Sequence, residues 1–179
     1  MTRWNSTGHR GDELENLIII SNDYYNINKL GRIDKVDVPI KVIKRTDSGM
    51  IIKAFFEKKS TVDFHGIIQG TSIVFDAKET FLKSLPIQNI HEHQIKYMSD
   101  INYQGGLAFI IIHFKTYNEY YLLPFEEILK YYEGSKNGKR KSIPYKEMNK
   151  IFKIEIESNG ILNYLPILNT YVKWKKAQN

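Results

Sequence analysis

The sequence predicts an α/β fold, a mixed central β-sheet flanked by helices. Three observations predict it. The elements follow one another as helix, strands, helix, strands, helices, the order of a sheet with helices on its faces. Hydrophobic residues make up 42% of the chain and aromatic residues 13%, enough apolar area for a packed core. No repeat, heptad run or long linker divides the 179 residues, so one domain is expected.

From Asp12 to about Tyr25, Leu14, Leu17, Ile18 and Tyr25 recur at helical spacing, with Asp12, Glu13 and Glu15 in the first turn, where the helix dipole favours acids. Two β-rich runs follow, Val36–Lys44 and Met50–Phe56, separated by the turn signal Asp47-Ser48-Gly49. Pro39 cannot donate to a ladder, so this hairpin belongs at an edge or protrudes. Thr61–Ile68 and Ser72–Lys78 read as two further strands joined through Gln69-Gly70. Pro86 closes a loop, and Ile90 to about Met98 reads as a short helix. Leu107–Phe114 is continuously apolar, a strand covered on both faces, with Tyr120–Leu123 as its partner. Phe125, Ile128, Leu129 and Tyr132 share one face of a helix from Pro124 to Tyr132. A basic, glycine-containing loop, Gly134–Lys141, comes next. Short helices are expected at Ile143–Ile151 and Ile167–Lys176.

The formal charge of +6 makes a polyanionic partner a reasonable explanation, although many soluble domains are mildly basic. The absence of cysteine excludes disulfides, thiolate zinc sites and cysteine nucleophiles. The first residues lack the apolar stretch of a signal peptide, and the longest apolar runs are far short of a membrane span. A cytoplasmic location is therefore expected.

Chemistry concentrates in Ser60-Thr61-Val62-Asp63-Phe64-His65-Gly66 and Ile73-Val74-Phe75-Asp76-Ala77-Lys78-Glu79. Residues two apart in a strand share a face, so Thr61, Asp63 and His65 are expected together on one strand, and Val74, Asp76 and Lys78 on the next. Were the two strands a hairpin with these faces aligned, two carboxylates and an ammonium would converge. Hard carboxylate oxygens suit Mg²⁺, and a lysine beside them can stabilise charge building on a phosphorane. An Asp-x-Lys triplet alone is common, and such a pair on a strand is ordinarily an exposed salt bridge worth about 0–1 kcal/mol. What distinguishes this one is its setting among Ile73, Val74, Phe75 and Ala77, where an unpaired charge is costly. His65 beside Gly66 reads as structural. His91 and His93, two apart on a helix, do not face each other as chelating ligands would. Gln94 can offer an amide oxygen.

In order along nearly the whole chain, these stretches resemble the RecU family of Holliday junction resolvases, within the PD-(D/E)xK nuclease superfamily. The resemblance rests on Arg10-Gly11-x-x-Leu14-Glu15, Asn22-x-Tyr24-Tyr25, Ser60-Thr61-Val62-Asp63-Phe64, Gly66-x-x-x-Gly70 and Phe75-Asp76-Ala77-Lys78-Glu79-Thr80. It continues through Leu85-Pro86-Ile87-x-Asn89, His91-x-His93-Gln94-Ile95, Gly105-Gly106-Leu107-Ala108-Phe109, Arg140-Lys141-Ser142-Ile143-Pro144 and, more weakly, Asn163-Tyr164-Leu165.

The resemblance implies a restriction-endonuclease-like nuclease domain spanning 1–179, with a β-hairpin stalk inserted at about 34–58. It implies symmetric, metal-dependent cleavage of four-way junctions in recombination and repair, with Mg²⁺ as cofactor and Mn²⁺ a substitute. Thr61, Asp63, Asp76 and Gln94 would contribute to the metal site, and Lys78 would stabilise the transition state. Glu15 stands where related resolvases send an acidic residue into the site, and equally where a helix start favours an acid. Glu79 would be structural, since alternation turns it to the face opposite Asp76. The chain departs from the family in a short arm before Arg10 and in two further places. Asp34-Lys35-Val36-Asp37-Val38-Pro39 replaces a more basic run in the stalk, and Asp rather than Glu stands at position 76. Lys41, Lys44, Arg45, Lys139, Arg140 and Lys141 are candidate phosphate contacts. The expected partners are branched DNA, a second copy of the chain, whose two-fold axis would match that of the junction, and a recombinase. The alternatives are a less selective nuclease, a non-catalytic DNA-binding protein of the same fold, or a generic α/β domain.

Overall fold

The computed structural model describes residues 12–56 and 61–178. Arg10, Gly11, Ser60 and the end of the expected stalk beyond Phe56 lie outside them. Helix α1, Asp12–Ile27, leads into strand β1, Gly31–Lys35, and the hairpin β2, Ile40–Arg45, with β3, Ile51–Phe56. Strands β4, Phe64–Ile68, β5, Thr71–Thr80, and the short β6, Ser84–Pro86, precede helix α2, Glu92–Tyr103. Then come β7, Leu107–Phe114, β8, Glu119–Pro124, helix α3, Phe125–Lys136, β9, Ser142–Pro144, β10, Lys153–Ile154, and helix α4, Leu165–Lys176. The main sheet runs β1-β4-β5-β7-β8-β10. It is mixed: β5 and β7 are parallel, and the other neighbours antiparallel.

Both faces of the sheet are covered. Leu14, Ile18 and Tyr25 of α1 and Leu168 and Tyr171 of α4 pack on Phe64, Phe75, Phe109 and Ile111. On the other face, Ile95 and Met98 of α2 and Phe125 and Ile128 of α3 pack on Val74, Ala108, Ile110 and Ile112. All eight residues of β7 are buried, which is why its sequence shows no alternation.

One ladder of rings fixes the register. Phe64 is paired with Phe75, and Phe75 with Phe109. Their rings stack at centroid spacings of 4.9 and 4.7 Å, each such pair adding roughly 0.5–1.5 kcal/mol beyond the area it buries. Two glycines are required nearby. In the β4–β5 turn Gln69 and Gly70 both have positive φ, 47° and 81°, the two-residue geometry that matches strand twist. A Cβ on Gly66 would fall 2.1 Å from the carbonyl oxygen of Arg32, so only glycine lets β1 lie against β4.

Four expectations are corrected. β1 was not anticipated: only Ile33 in it is buried, and an otherwise polar edge strand carries no pattern. The strand expected from Thr61 begins only at Phe64, because Val62 and Phe64 are buried on opposite faces of the sheet and the chain cannot be extended between them. Ile143–Ile151 is β9 followed by two 3₁₀ turns, not a helix. Pro144 interrupts it, and the residues it buries are Ile143, Pro144 and Met148, while Ile151 is exposed. The basic loop begins later than expected, since α3 runs through Gly134 and Ser135 to Lys136.

Candidate active site

Strand β5 fixes the geometry by alternation. Phe75 faces α1, and Val74 faces α2, so Asp76 and Lys78 share the α2 face. Asp76 is completely buried. Its Oδ2 lies 2.6 Å from the Lys78 ammonium, and its Oδ1 accepts a 3.0 Å hydrogen bond from the backbone N–H of Asp63. Asp63 returns the contact, its Oδ2 accepting from the Ala77 N–H at 2.9 Å. Each aspartate thus accepts a main-chain hydrogen bond from the other's segment, just past Phe64–Phe75, where β4–β5 pairing ends. Asp63 therefore meets Asp76 as the sequence suggests, but from the lead-in to the strand rather than from the strand itself.

The site carries more negative charge than it neutralises. Burial pushes the Asp63 carboxyl up to about 6, and the Asp76 charge adds to this, against the opposing pull of Lys78 and the Ala77 N–H. Asp76 Oδ2, although ion-paired, has no hydrogen-bond partner. A cation between the two carboxylates would relieve both conditions. Among the described residues no group of three or more His, Cys, Asp and Glu is placed to hold a metal. Two carboxylates by themselves would suit a hard oxygen-seeking cation better than a soft one.

Of the other candidates, Thr61 is exposed two residues ahead of Asp63. Gln94 is buried in the first turn of α2, and its Oε1 accepts from the His91 N–H at 2.9 Å. A carbonyl oxygen has a second lone pair, which this leaves open. Glu15 is engaged by Lys35, at 2.6 Å. Lys35 precedes Val36, whose N–H donates to the Asp63 carbonyl, so this ion pair stands at the rim of the site. Glu79, on the opposite face, accepts the Leu14 N–H at 3.2 Å, pairs with Lys115 at 3.1 Å and sits 3.5 Å from His113. It fastens the start of α1 to β5. His65 is exposed. The His91 and His93 rings stack at 5.4 Å rather than chelating.

Lys41, Lys44 and Arg45 are exposed on the β2–β3 hairpin, a two-stranded sheet separate from the main one. Lys139, Arg140 and Lys141 are exposed after α3, with Arg140 paired to Glu147 at 2.6 Å. Sequence reasoning missed Lys35 and Lys115. Lys35 sits on an unanticipated strand, and Lys115 acquires its meaning only from the carboxylates folding brings to it.

The family model described as RecU, Recombination protein U, matches residues 9–170. The chain belongs to the RecU family. A Holliday junction resolvase RecU of Leuconostoc mesenteroides is 41% identical over 164 residues, covering 88% of this chain and 79% of its own. That of Oenococcus oeni is 38% identical over 167 residues, covering 90% and 85%. Among solved structures, Hjc, a Holliday junction resolvase of Archaeoglobus fulgidus, matches 65% of this chain and 73% of its own with a TM-score of 0.40 and 9% identity, too distant a likeness to build on. RecU membership accounts for the order of motifs from Leu14 to Tyr164.

Proposed function

We propose that this RecU chain is an endonuclease that resolves four-way DNA junctions by paired, metal-dependent nicks. The observation that carries the reading is the reciprocal Asp63–Asp76 contact with Lys78 at 2.6 Å, in a pocket with surplus negative charge.

Asp63 and Asp76 would hold Mg²⁺, with Mn²⁺ as a substitute, assisted by Thr61 and the Gln94 amide oxygen. A bound cation would supply Lewis-acid stabilisation of the charge at the scissile phosphate and help activate the attacking water. The chain's own residues do the rest. Asp76, buried and held by the Asp63 N–H, would fix the position of the Lys78 ammonium. An ammonium has three donors, so Lys78 keeps Asp76 and still offers hydrogen bonds to a phosphate oxygen as charge builds there. Glu15 would act at the rim, released from or shared with Lys35. Exposed Lys41, Lys44, Arg45 and Lys139–Lys141 would set affinity through phosphates, with a strong salt dependence.

Two matched nicks in a two-fold junction call for two sites related by the same symmetry, and hence a homodimer. No helix among the described residues is long and apolar enough to cross a membrane. A recombinase would be the partner that supplies the junctions.

The test is cleavage of a synthetic four-way junction beside matched linear duplex, in Mg²⁺, Mn²⁺ and chelator, with Asp63→Asn as control. Paired nicks in the junction alone, lost with chelator and with the substitution, are expected. Equal cutting of duplex would leave a general nuclease, and tight binding without cutting in any metal would leave a DNA-binding protein.

A further inference from the structure

Where β5 ends, the chain does something the catalytic chemistry does not need. Two adjacent apolar side chains, Phe81 and Leu82, are 74% and 58% exposed. The turn that carries them is not loose. Leu82 N–H donates to Thr80 Oγ1 at 3.0 Å, Lys115 N–H to the Thr80 carbonyl at 2.9 Å, and the Thr116 hydroxyl to the Phe81 carbonyl. On its far side the Lys83 carbonyl accepts the Tyr145 N–H. The Lys115 ammonium, held by Glu13 and Glu79, sits 5.3 Å from the Phe81 ring centroid. The turn is thus held in place while its ring is left largely in water, which costs solvation energy with no return in folding.

Its surroundings say what covers it. Phe81 stands just past the end of β5, three residues beyond Lys78 and about 10 Å along the chain at a rise of roughly 3.3 Å per residue, with its ring on the Lys115 and Glu79 side of the sheet. Lys83 is exposed on the same turn, and Tyr117, next to Thr116, is stacked on Tyr145 at 3.7 Å and remains 36% exposed. Cations interleaved with rings on a rigid platform are the elements of a surface that binds phosphates and stacks bases. Apolar wedges of this kind unstack neighbouring bases and bend the strand.

We infer that Phe81 and Leu82 form a wedge that stacks on a base unpaired beside the cleavage point, so that the RecU site engages strands that open at a branch and not intact duplex. This rests on the active-site reading above, and it adds a determinant of substrate choice that is separate from the metal chemistry.

The experiment uses full-length protein carrying Asp63→Asn, which is expected to bind without cutting, and a junction with 2-aminopurine at each of the three positions beside the cut. Binding should raise the fluorescence at one position, and adding Phe81→Ala with Leu82→Ala should return it to the free-junction level. Junction affinity or cleavage in the otherwise unsubstituted enzyme should fall about 5- to 100-fold, the effect of losing one stacked base. Phe81→Tyr should retain most of both. Thermal stability should not change, since both side chains are exposed. Unaltered fluorescence, affinity and cleavage in the double variant would overturn the inference. So would a shift from dimer to monomer in sedimentation, which would make the pair a subunit contact. If the unsubstituted protein cuts no junction and the Asp63→Asn protein binds none, the active-site reading fails first and the wedge falls with it.

Discussion

Asp63→Asn should make the metal-free protein more stable while abolishing its cleavage. The Asp63 carboxyl is held at about 6 by burial and the neighbouring Asp76. A raised pKa means the folded state binds this proton more tightly than the unfolded state, so the favourable contribution is fully present below about pH 4 and lost as pH rises through about 6. Above that window the ionised Asp63 is a burden. Two pKa units correspond to an upper bound of about 3 kcal/mol. An asparagine keeps an oxygen for the Ala77 N–H but makes a weaker hydrogen bond than a carboxylate, which leaves a net gain of about 1–2 kcal/mol. For a chain of this size that is a rise of about 2–8 °C in Tm. The assay is thermal unfolding in chelator, at a pH well above 6 and again below 4. The rise should be present in the first and absent in the second. Excess Mg²⁺ should then reverse the order at the higher pH, stabilising the unsubstituted protein by about 2.7 kcal/mol at a hundred times Kd and the variant far less. A variant less stable than its parent in chelator at high pH would refute the reasoning, because the site would then store no surplus repulsion.

Lys78→Ala should lower kcat about 100- to 1,000-fold, as removing a charge-stabilising donor does elsewhere, with junction affinity little changed in single-turnover and binding measurements. Replacing Lys41, Lys44 and Arg45 together with Ala should weaken binding to junctions of any sequence and reduce the slope of log K against log salt by about 3, measured by titration at several salt concentrations. An unaltered slope would place the hairpin away from phosphates. Phe75→Ala opens the middle of the ring ladder and should cost about 3–5 kcal/mol by denaturant unfolding. Asp63→Ala should be less stable than Asp63→Asn by about 1–3 kcal/mol, because the part-buried Ala77 N–H loses its acceptor.

Much of the fold was legible because burial leaves a period in the sequence. The pattern Leu14, Ile18, Tyr25 gave α1, and the unbroken apolar run of β7 announced a strand covered on both sides. Alternation along β5 correctly separated Asp76 and Lys78 from Glu79. What stayed hidden was structure that depends on a distant partner. β1 is a polar strip until Gly66 admits it against β4. The segment from Ile143 has apolar residues at helix-like intervals, yet Pro144 and the 3₁₀ turns bury a different set. Asp63 was placed with Asp76 by treating its segment as extended, whereas the chain turns there and hydrogen bonds hold it. The ion pair of Glu15 with Lys35 was invisible because its basic half lies on the unanticipated strand.

The reciprocal bonds between Asp63 and Asp76 also stand where a sheet would otherwise come apart. Beyond Phe64 and Phe75 the strands no longer pair, and the two acids take over as the last stitches of the seam. The proposed catalysis and the cohesion of the sheet are therefore entangled in one pair of side chains. A lineage that abandons the reaction cannot let both positions drift to apolar residues independently: the first loss frays the seam, and the second must close it. Descendants that keep the fold without the activity should carry amides or hydroxyls at these two places, not alanines.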